Sequence, residues 1–180
     1  MALAGPGASY SLNMTVVYED GWSREWAGRV CERVAELVSK EAARTTWWKI
    51  SDLGEPAVLA GAVSTAIRAD VIVVALCASD GLPLPFYVWV DSWLPHHPQG
   101  TAALVALITM PENPSARLDR ARNYLRAVAD QGRLDFMIEE RKRPIELLPA
   151  PKFLTSDFSV DRPATTEPRR RSRRIVPHGR

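Results

Sequence analysis

Three near-continuous apolar runs constrain the fold of this 180-residue chain more than any other feature. They are Met14–Tyr18, Val71–Cys77 and Ala102–Ile108, and a helical pattern follows each of them. Strands covered by helices on both faces carry such runs, whereas strands with one solvated face alternate apolar and polar residues. The runs therefore predict a parallel sheet that lies between layers of helices.

Two further strands and four helices complete the predicted core. Thr45–Ile50 is rich in β-branched and aromatic residues, and Leu134–Glu139 follows the last helical pattern. Short crossover connections between parallel strands are right-handed, which favours the sheet order 2-1-3-4-5. We therefore predict a doubly wound, five-stranded parallel α/β sandwich of three layers. The expected helix signals are Ser23 as an N-cap, Pro56 in a first turn, the apolar positions between Phe86 and Leu94, and Ser115 as an N-cap with Gly132 ending that helix.

Composition divides the chain into three predicted segments. Residues 1–12 are rich in Gly, Ala and Ser and are expected to be disordered, residues 13–142 form the α/β domain, and residues 143–180 form a Pro-rich and basic tail. We expect no signal peptide and no membrane span, because no basic leader or long apolar stretch is present. Cys31 and Cys77 fit small buried hydrophobes in a reducing compartment, so we predict a cytoplasmic protein.

The tail carries a charge opposite to that of the core. Between Arg162 and Arg180 there are seven arginines and one acidic residue, Glu167, so this stretch carries +6 and the rest of the chain −4 for a total of +2. A mildly acidic core argues against a folded nucleic-acid surface. The cluster Arg169–Arg174 is either a solvated terminus or a contact for an acidic protein partner, nucleic acid or anionic lipid.

Ligands of doubly wound sheets bind beyond the carboxyl ends of the strands, near the point where the strand order reverses. This rule selects the polar residues that follow strands one, three, four and five. The acidic pair also has a simpler interpretation, because negative charge stabilises a helix N-terminus. For the other notable pairs, we expect His96-His97 to lie in a solvated loop and one ring of Trp47-Trp48 to be exposed. The predicted ligand-binding residues are Glu19, Asp20, Ser23, Asp80, Thr109 and Lys142.

The segment Asn13–Pro144 resembles the receiver domains of response regulators. In that resemblance Glu19 and Asp20 correspond to the acidic pair that holds Mg²⁺, Thr109 to the hydroxyl that ends strand four, and Lys142 to the lysine after strand five. Strand three ends without an aspartate, and Asp80 lies a few residues later. The resemblance implies a magnesium site at Glu19 and Asp20 and a regulatory role without ordinary phosphotransfer.

A second stretch resembles the NAD(P)H-dependent FMN reductases. Arg68–Val74, the loop Leu82–Pro85 and the helix Val88–Leu94 are similar to the strand, flavin-edge loop and aspartate-tryptophan-leucine helix of those enzymes. The resemblance implies FMN as cofactor. The first loop departs from the family, because it begins with two carboxylates where a phosphate-binding turn is expected, with Ser23 and Arg24 as the available hydroxyl and cation.

The main functional hypothesis is a non-catalytic, receiver-like regulatory or binding module with a cation or small-ligand site at the strand ends. An FMN-dependent NAD(P)H reductase is the first alternative. A scaffold domain that uses its basic tail as an electrostatic arm is the second. No Ser-His-Asp, Cys-His or zinc-ligand spacing is present, which disfavours hydrolase chemistry.

Overall fold

The computed structural model describes residues 11–38, 42–77, 81–110 and 116–142. Asp80, Ser115 and the terminal segments, including the basic cluster, lie outside these ranges. The chain divides into two units, Met1–Leu148 and Pro149–Arg180, and all that follows concerns the first. The proposed boundaries at residues 12/13 and 142/143 stay predictions.

The described residues form a five-stranded parallel sheet of order β2-β1-β3-β4-β5, which confirms the predicted architecture. Short 3₁₀ turns at Ile50–Gly54 and Leu94–His96 follow β2 and α3. The elements in chain order are β1 Leu12–Tyr18, α1 Gly21–Val38, β2 Ala43–Lys49, α2 Pro56–Ile67, β3 Val71–Cys77, α3 Leu84–Trp93, β4 Ala103–Met110, α4 Ala116–Gly132 and β5 Asp135–Lys142.

Two hydrophobic clusters lie on opposite faces of the sheet. On one face α1 contributes Trp26, Ala27, Val30 and Cys31, which pack with inward residues of β1, β3 and β4. On the other face α2, α3 and α4 pack in a larger cluster. The central strands are buried on both faces, which explains why their sequences are apolar without alternation. The largest fully buried side chains are Trp26, Trp89, Trp93 and Phe86.

The end of α4 differs from the prediction. Gly132 was expected to lie just beyond the helix and to end it. In the structure Gly132 is itself the last helical residue, and Arg133 adopts the left-handed conformation with a φ of 52°. A Cβ atom on Gly132 would lie 2.9 Å from Leu94 Cδ1 and 3.1 Å from Leu134 Cγ, so a larger residue would have to displace these side chains. The backbone N–H of Leu134 closes the turn by donating to the carbonyl of Ala129.

The expectation of a solvated histidine pair is wrong for His97. Its side chain is buried, with Nε2 3.1 Å from the carbonyl oxygen of Ala69 and Nδ1 2.8 Å from that of Pro98. His96 is exposed. The ring of His97 therefore ties the turn after α3 to the segment that leads into β3.

The tryptophan pair is also packed differently from the prediction. Both rings are half-buried, because successive residues of β2 point to opposite faces. Trp48 donates from Nε1 to Thr65 Oγ1 of α2 at 2.9 Å, and Trp47 contacts the ring of Tyr18 edge-on at 6.3 Å. The edge strand is thus held by one indole on each side.

The close approach of α2 to Trp48 predicts a position-specific effect of added side chains. A Cβ atom on Gly61 would lie 2.6 Å from Trp48 Cη2, whereas one on Gly28 in α1 would lie 3.9 Å from Trp47 Cη2. Gly61→Ala should lower the free energy of unfolding by about 1–3 kcal/mol because the indole must move. Gly28→Ala, the matched control, should be neutral or stabilising by up to about 1 kcal/mol. Urea denaturation of both variants measures this, and equal effects would contradict the packing described.

Burial of Cys31 predicts a component of stability that depends on pH. Burial, followed by the nearby charge of Glu32, raises the pKa of the Cys31 thiol from 9.0 to about 11. Because the folded pKa is the higher one, the protonated thiol favours the folded state fully below pH 9, and this contribution is lost as the pH rises towards 11. Between pH 8 and 11 the wild type should lose about 2 kcal/mol more stability than Cys31→Ala. Urea denaturation of the two proteins across this pH range measures the difference, and an equal pH dependence would contradict the burial of this thiol.

Candidate functional site

The carboxyl edge of the sheet, at the point where the order of β1 and β3 reverses, is the candidate site. The connection from β1 to α1 is described completely, and that from β3 to α3 from Gly81 onwards. These two connections flank the position where a ligand of such a sheet lies. The chemistry of the edge therefore depends first on the turn Glu19–Ser23.

Asp20 and Ser23 cap α1 reciprocally. The backbone N–H of Ser23 donates to Asp20 Oδ1 at 2.8 Å, and that of Asp20 donates to Ser23 Oγ at 2.9 Å. The Ser23 hydroxyl donates in turn to the Asp20 carbonyl at 3.0 Å. This is a capping box in which Asp20 is the N-cap and Ser23 the third helical residue, so the prediction of Ser23 as the N-cap was wrong by three positions.

Glu19 connects β1 to the end of β3. Its backbone N–H donates to the carbonyl of Ala75 at 3.0 Å, which extends the parallel ladder beyond Tyr18. Its carboxylate Oε2 accepts from the backbone N–H of Cys77 at 2.6 Å. A charged acceptor makes this a strong bond. Both carboxylates of the acidic pair therefore accept hydrogen bonds from backbone N–H groups at this edge. This agrees with the simpler of the two interpretations of the pair, in which its charges stabilise the structure.

The cation of this turn faces the edge strand β2. The Arg24 guanidinium lies over the rings of Tyr18 and Trp47, 5.7 and 5.4 Å from their centroids. Such contacts stabilise an arginine against aromatic faces. The sequence made Arg24 a candidate for neutralising a bound phosphate, but the structure places its charge against these two rings.

Two further predicted site residues, Thr109 and Lys142, lie at the ends of β4 and β5. Thr109 is 2% exposed, and its buried hydroxyl has no hydrogen-bond partner among the described residues. It aligns with Cys77 and Arg141 across β3, β4 and β5. Lys142 follows Arg141 in β5, so it lies on the opposite face, where it is exposed. Hydrogen bonds join Glu19, Asp20 and Ser23, and Asp80 lies outside the described residues.

Two residues that sequence reasoning did not select lie next to the turn. Trp26 is fully buried 5.3 Å from the ring of Trp22, and the Arg141 guanidinium lies 5.0 Å over its ring. Trp26 belongs to the hydrophobic cluster on the α1 face of the sheet. Arg141 could have been found by applying the strand-end rule to β5, since it stands in the same cross-strand row as Thr109.

The predicted magnesium site finds no support in this geometry. Across the described ranges, no group of three or more His, Cys, Asp or Glu residues is placed to hold a metal ion. Glu19 and Asp20 are turned to two different backbone donors, those of Cys77 and Ser23. Thr109 is buried and cannot respond to a ligand by direct contact unless the edge opens.

The turn also does not match a phosphate cradle. A phosphate at a helix N-terminus is held by backbone N–H groups that point at it. Here the N–H of Ser23 is bound to the Asp20 carboxylate, and the Ser23 hydroxyl is engaged inside the same box. Two groups of the first turn that would otherwise contact the phosphate of FMN are therefore already bound within the domain.

Comparison with solved structures identifies the fold. A short-chain flavodoxin associated with a non-canonical PDU bacterial microcompartment superposes with a TM-score of 0.55 at 15% identity, over 75% of this chain and 88% of that one. The Trp repressor binding protein from Bacillus subtilis gives 0.53 at 9% identity over 74% and 90%. The apo form of an NADH:FMN oxidoreductase gives 0.51 at 16% identity over 74% of each chain.

The chain has a flavodoxin-like fold. No protein-family model matches it, and no curated protein matches its sequence. The resemblance to the flavodoxin-like group is confirmed at the level of fold, and these structures do not single out the receiver domains. No helix in the described part of the chain is long and apolar enough to cross a membrane.

The helix that resembles that of the FMN reductases serves mainly as core in this flavodoxin-like domain. Trp93 is fully buried, with ring centroids 5.6 Å from both Trp89 and His97. Asp91 points to solvent and is the second cause, after burial, of the rise in the Tyr124 pKa to about 12. The residues of α3 that resemble the FMN reductases therefore serve mainly to pack this helix against the sheet.

Removing the cap should destabilise the domain in a way that a neutral cap restores. Asp20→Ala leaves the N–H of Ser23 without its acceptor, and we expect a loss of about 1 kcal/mol in the free energy of unfolding. Asp20→Ser supplies a hydroxyl oxygen in the same place and should stay within about 0.5 kcal/mol of the wild type. Chemical denaturation followed by circular dichroism gives both values. Equal stability of the alanine variant and the wild type would show that the capping box is not formed in solution.

Proposed function

We propose that the crevice at the carboxyl edge binds the ring system of a flavin, and that the protein is a flavin-binding member of the flavodoxin-like group. The proposal is supported by the fold, which is shared with a flavodoxin and an NADH:FMN oxidoreductase. It replaces the receiver-like module as the preferred function. The magnesium site that a receiver-like module would use at Glu19 and Asp20 finds no support among the described residues.

The observation that carries the proposal is an exposed apolar residue at the edge of the sheet. Leu84, the first residue of α3, is 74% exposed. It follows β3, and Trp22, which is partly exposed, follows the neighbouring strand β1. Apolar side chains on both sides of a switch point suit a flat aromatic ligand, because binding removes them from water.

Bound flavin would supply hydride or electron transfer, and the residues of this chain would position it. The half-buried Leu82 and the exposed Leu84 offer one apolar wall. Trp22, held 5.3 Å from Trp26, offers a second ring on the side of α1. A protein partner for the basic cluster Arg169–Arg174 remains a separate proposal based on charge alone.

The proposal predicts that riboflavin binds and that Leu84 contributes to its affinity. Binding should quench flavin fluorescence, and Leu84→Asp should weaken it at least about tenfold because a buried leucine contact contributes roughly 1.5–3 kcal/mol. Leu37→Asp is the matched control. Leu37 is 86% exposed in the last turn of α1, away from the carboxyl edge, and its substitution should leave the affinity unchanged.

Two results would contradict this function. A protein that purifies colourless and does not quench riboflavin fluorescence at micromolar concentrations would leave the scaffold alternative in its place. Equal loss of affinity in the Leu84 and Leu37 variants would show that flavin binds elsewhere on the surface. Oxidation of NADH or NADPH by the flavin-loaded protein then separates an enzyme from a carrier.

A further inference from the structure

We infer that the first turn of this domain excludes phosphate, so that its crevice selects a flavin without a terminal phosphate over FMN. This inference rests on the proposed function for the identity of the ring. Its specificity-determining residues are Asp20 and Glu19. It is opposite to the expectation for a flavodoxin-like protein whose cofactor is a mononucleotide.

The first step of the argument is that the backbone N–H groups of Asp20 and Ser23 are already occupied inside the turn. A phosphate that approached the N-terminus of α1 would compete with the Asp20 carboxylate for the N–H of Ser23, which lies 2.8 Å from Oδ1. It would also have to displace Ser23 Oγ from its bonds to the Asp20 backbone. An intramolecular carboxylate holds these groups at no entropic cost of association, which a free ligand must meet.

The second step is charge. Asp20 and Glu19 place two carboxylates in consecutive positions at the mouth of the turn, and a phosphate monoester at neutral pH is largely a dianion. Like charges at contact distances in a half-buried site repel more strongly than in water. The helix dipole that would attract the phosphate already interacts with Asp20.

The third step is that Arg24, the cation of this turn, already contacts aromatic rings on another side. Arg24 is on the first turn of α1, but its guanidinium lies over Tyr18 and Trp47 on the side of β2. Moving it to the turn would give up both cation–π contacts. Arg141, the other arginine near this end of α1, lies over Trp26 and is bound to Glu139. The described residues thus present carboxylates rather than cations to a phosphate.

The test compares riboflavin with FMN in the full-length protein and in the double variant Glu19→Gln/Asp20→Ser. These changes remove both charges while keeping an acceptor for Cys77 and a cap for Ser23. The wild type should bind riboflavin at least about tenfold more tightly than FMN, and the variant should reduce that ratio about tenfold with little change for riboflavin. Asp130→Ser, which removes an exposed carboxylate near the far end of α4, should leave the ratio unchanged.

The outcomes for the inference and for the proposed function can be told apart. FMN binding as tightly as riboflavin would overturn phosphate exclusion and leave flavin binding standing. If neither flavin binds, the proposed function fails, and inorganic phosphate added to ¹⁵N-labelled protein decides the inference. Saturable chemical-shift changes of the Gly21–Ser23 amides in the wild type would overturn phosphate exclusion. Shifts in the double variant alone would support it, and no shifts in either would overturn the assignment to these two carboxylates.

Discussion

The carboxyl edge of this domain depends on the placement of two neighbouring carboxylates against backbone N–H groups. Asp20 caps α1, and Glu19 bridges to Cys77 at the end of β3. Because β1 and β3 are the strands between which the order reverses, these bonds fix the direction in which α1 leaves the sheet. They therefore set the position of Trp26 on one face and the starting geometry of the crevice. Charged acceptors are well suited to this, since backbone donors at helix and strand ends otherwise lack partners.

Much of the fold could be predicted from the sequence because burial leaves a direct mark on it. Central strands buried on both faces are mainly apolar without strict alternation, and β3, β4 and β1 from Met14 onwards show this. What could not be predicted depends on contacts between distant residues. Gly132 packs closely against Leu94, and the buried ring of His97 lies beside the carbonyl of Ala69. Neither of these contacts can be recognised from a local sequence pattern, because the residues that make them are distant in the chain.

The sequence selected three residues that meet in the structure, and it left open whether the acidic pair binds a ligand or caps a helix. Glu19, Asp20 and Ser23 meet at the carboxyl edge as the strand-end rule requires. Carboxylates that hold magnesium and carboxylates that cap a helix have the same composition, and the spacing of Asp20 and Ser23 was the available sign of a cap. Lys142 was selected only as a lysine near the end of strand five, because the register of β5 against β4, which decides the face on which it lies, is not contained in a single sequence.

The turn Glu19–Ser23 also explains why a shared fold predicts the architecture of this domain better than it predicts the ligand. The sheet order and the switch point are set by apolar packing, whereas phosphate recognition depends on a few backbone donors and the charges beside them. An aspartate such as Asp20 in place of a neutral N-cap residue preserves the helix and its packing, and it changes the sign of the local electrostatic field. A flavodoxin-like domain can therefore keep its crevice and alter what enters it through two adjacent side chains, and Glu19 and Asp20 are residues of that kind.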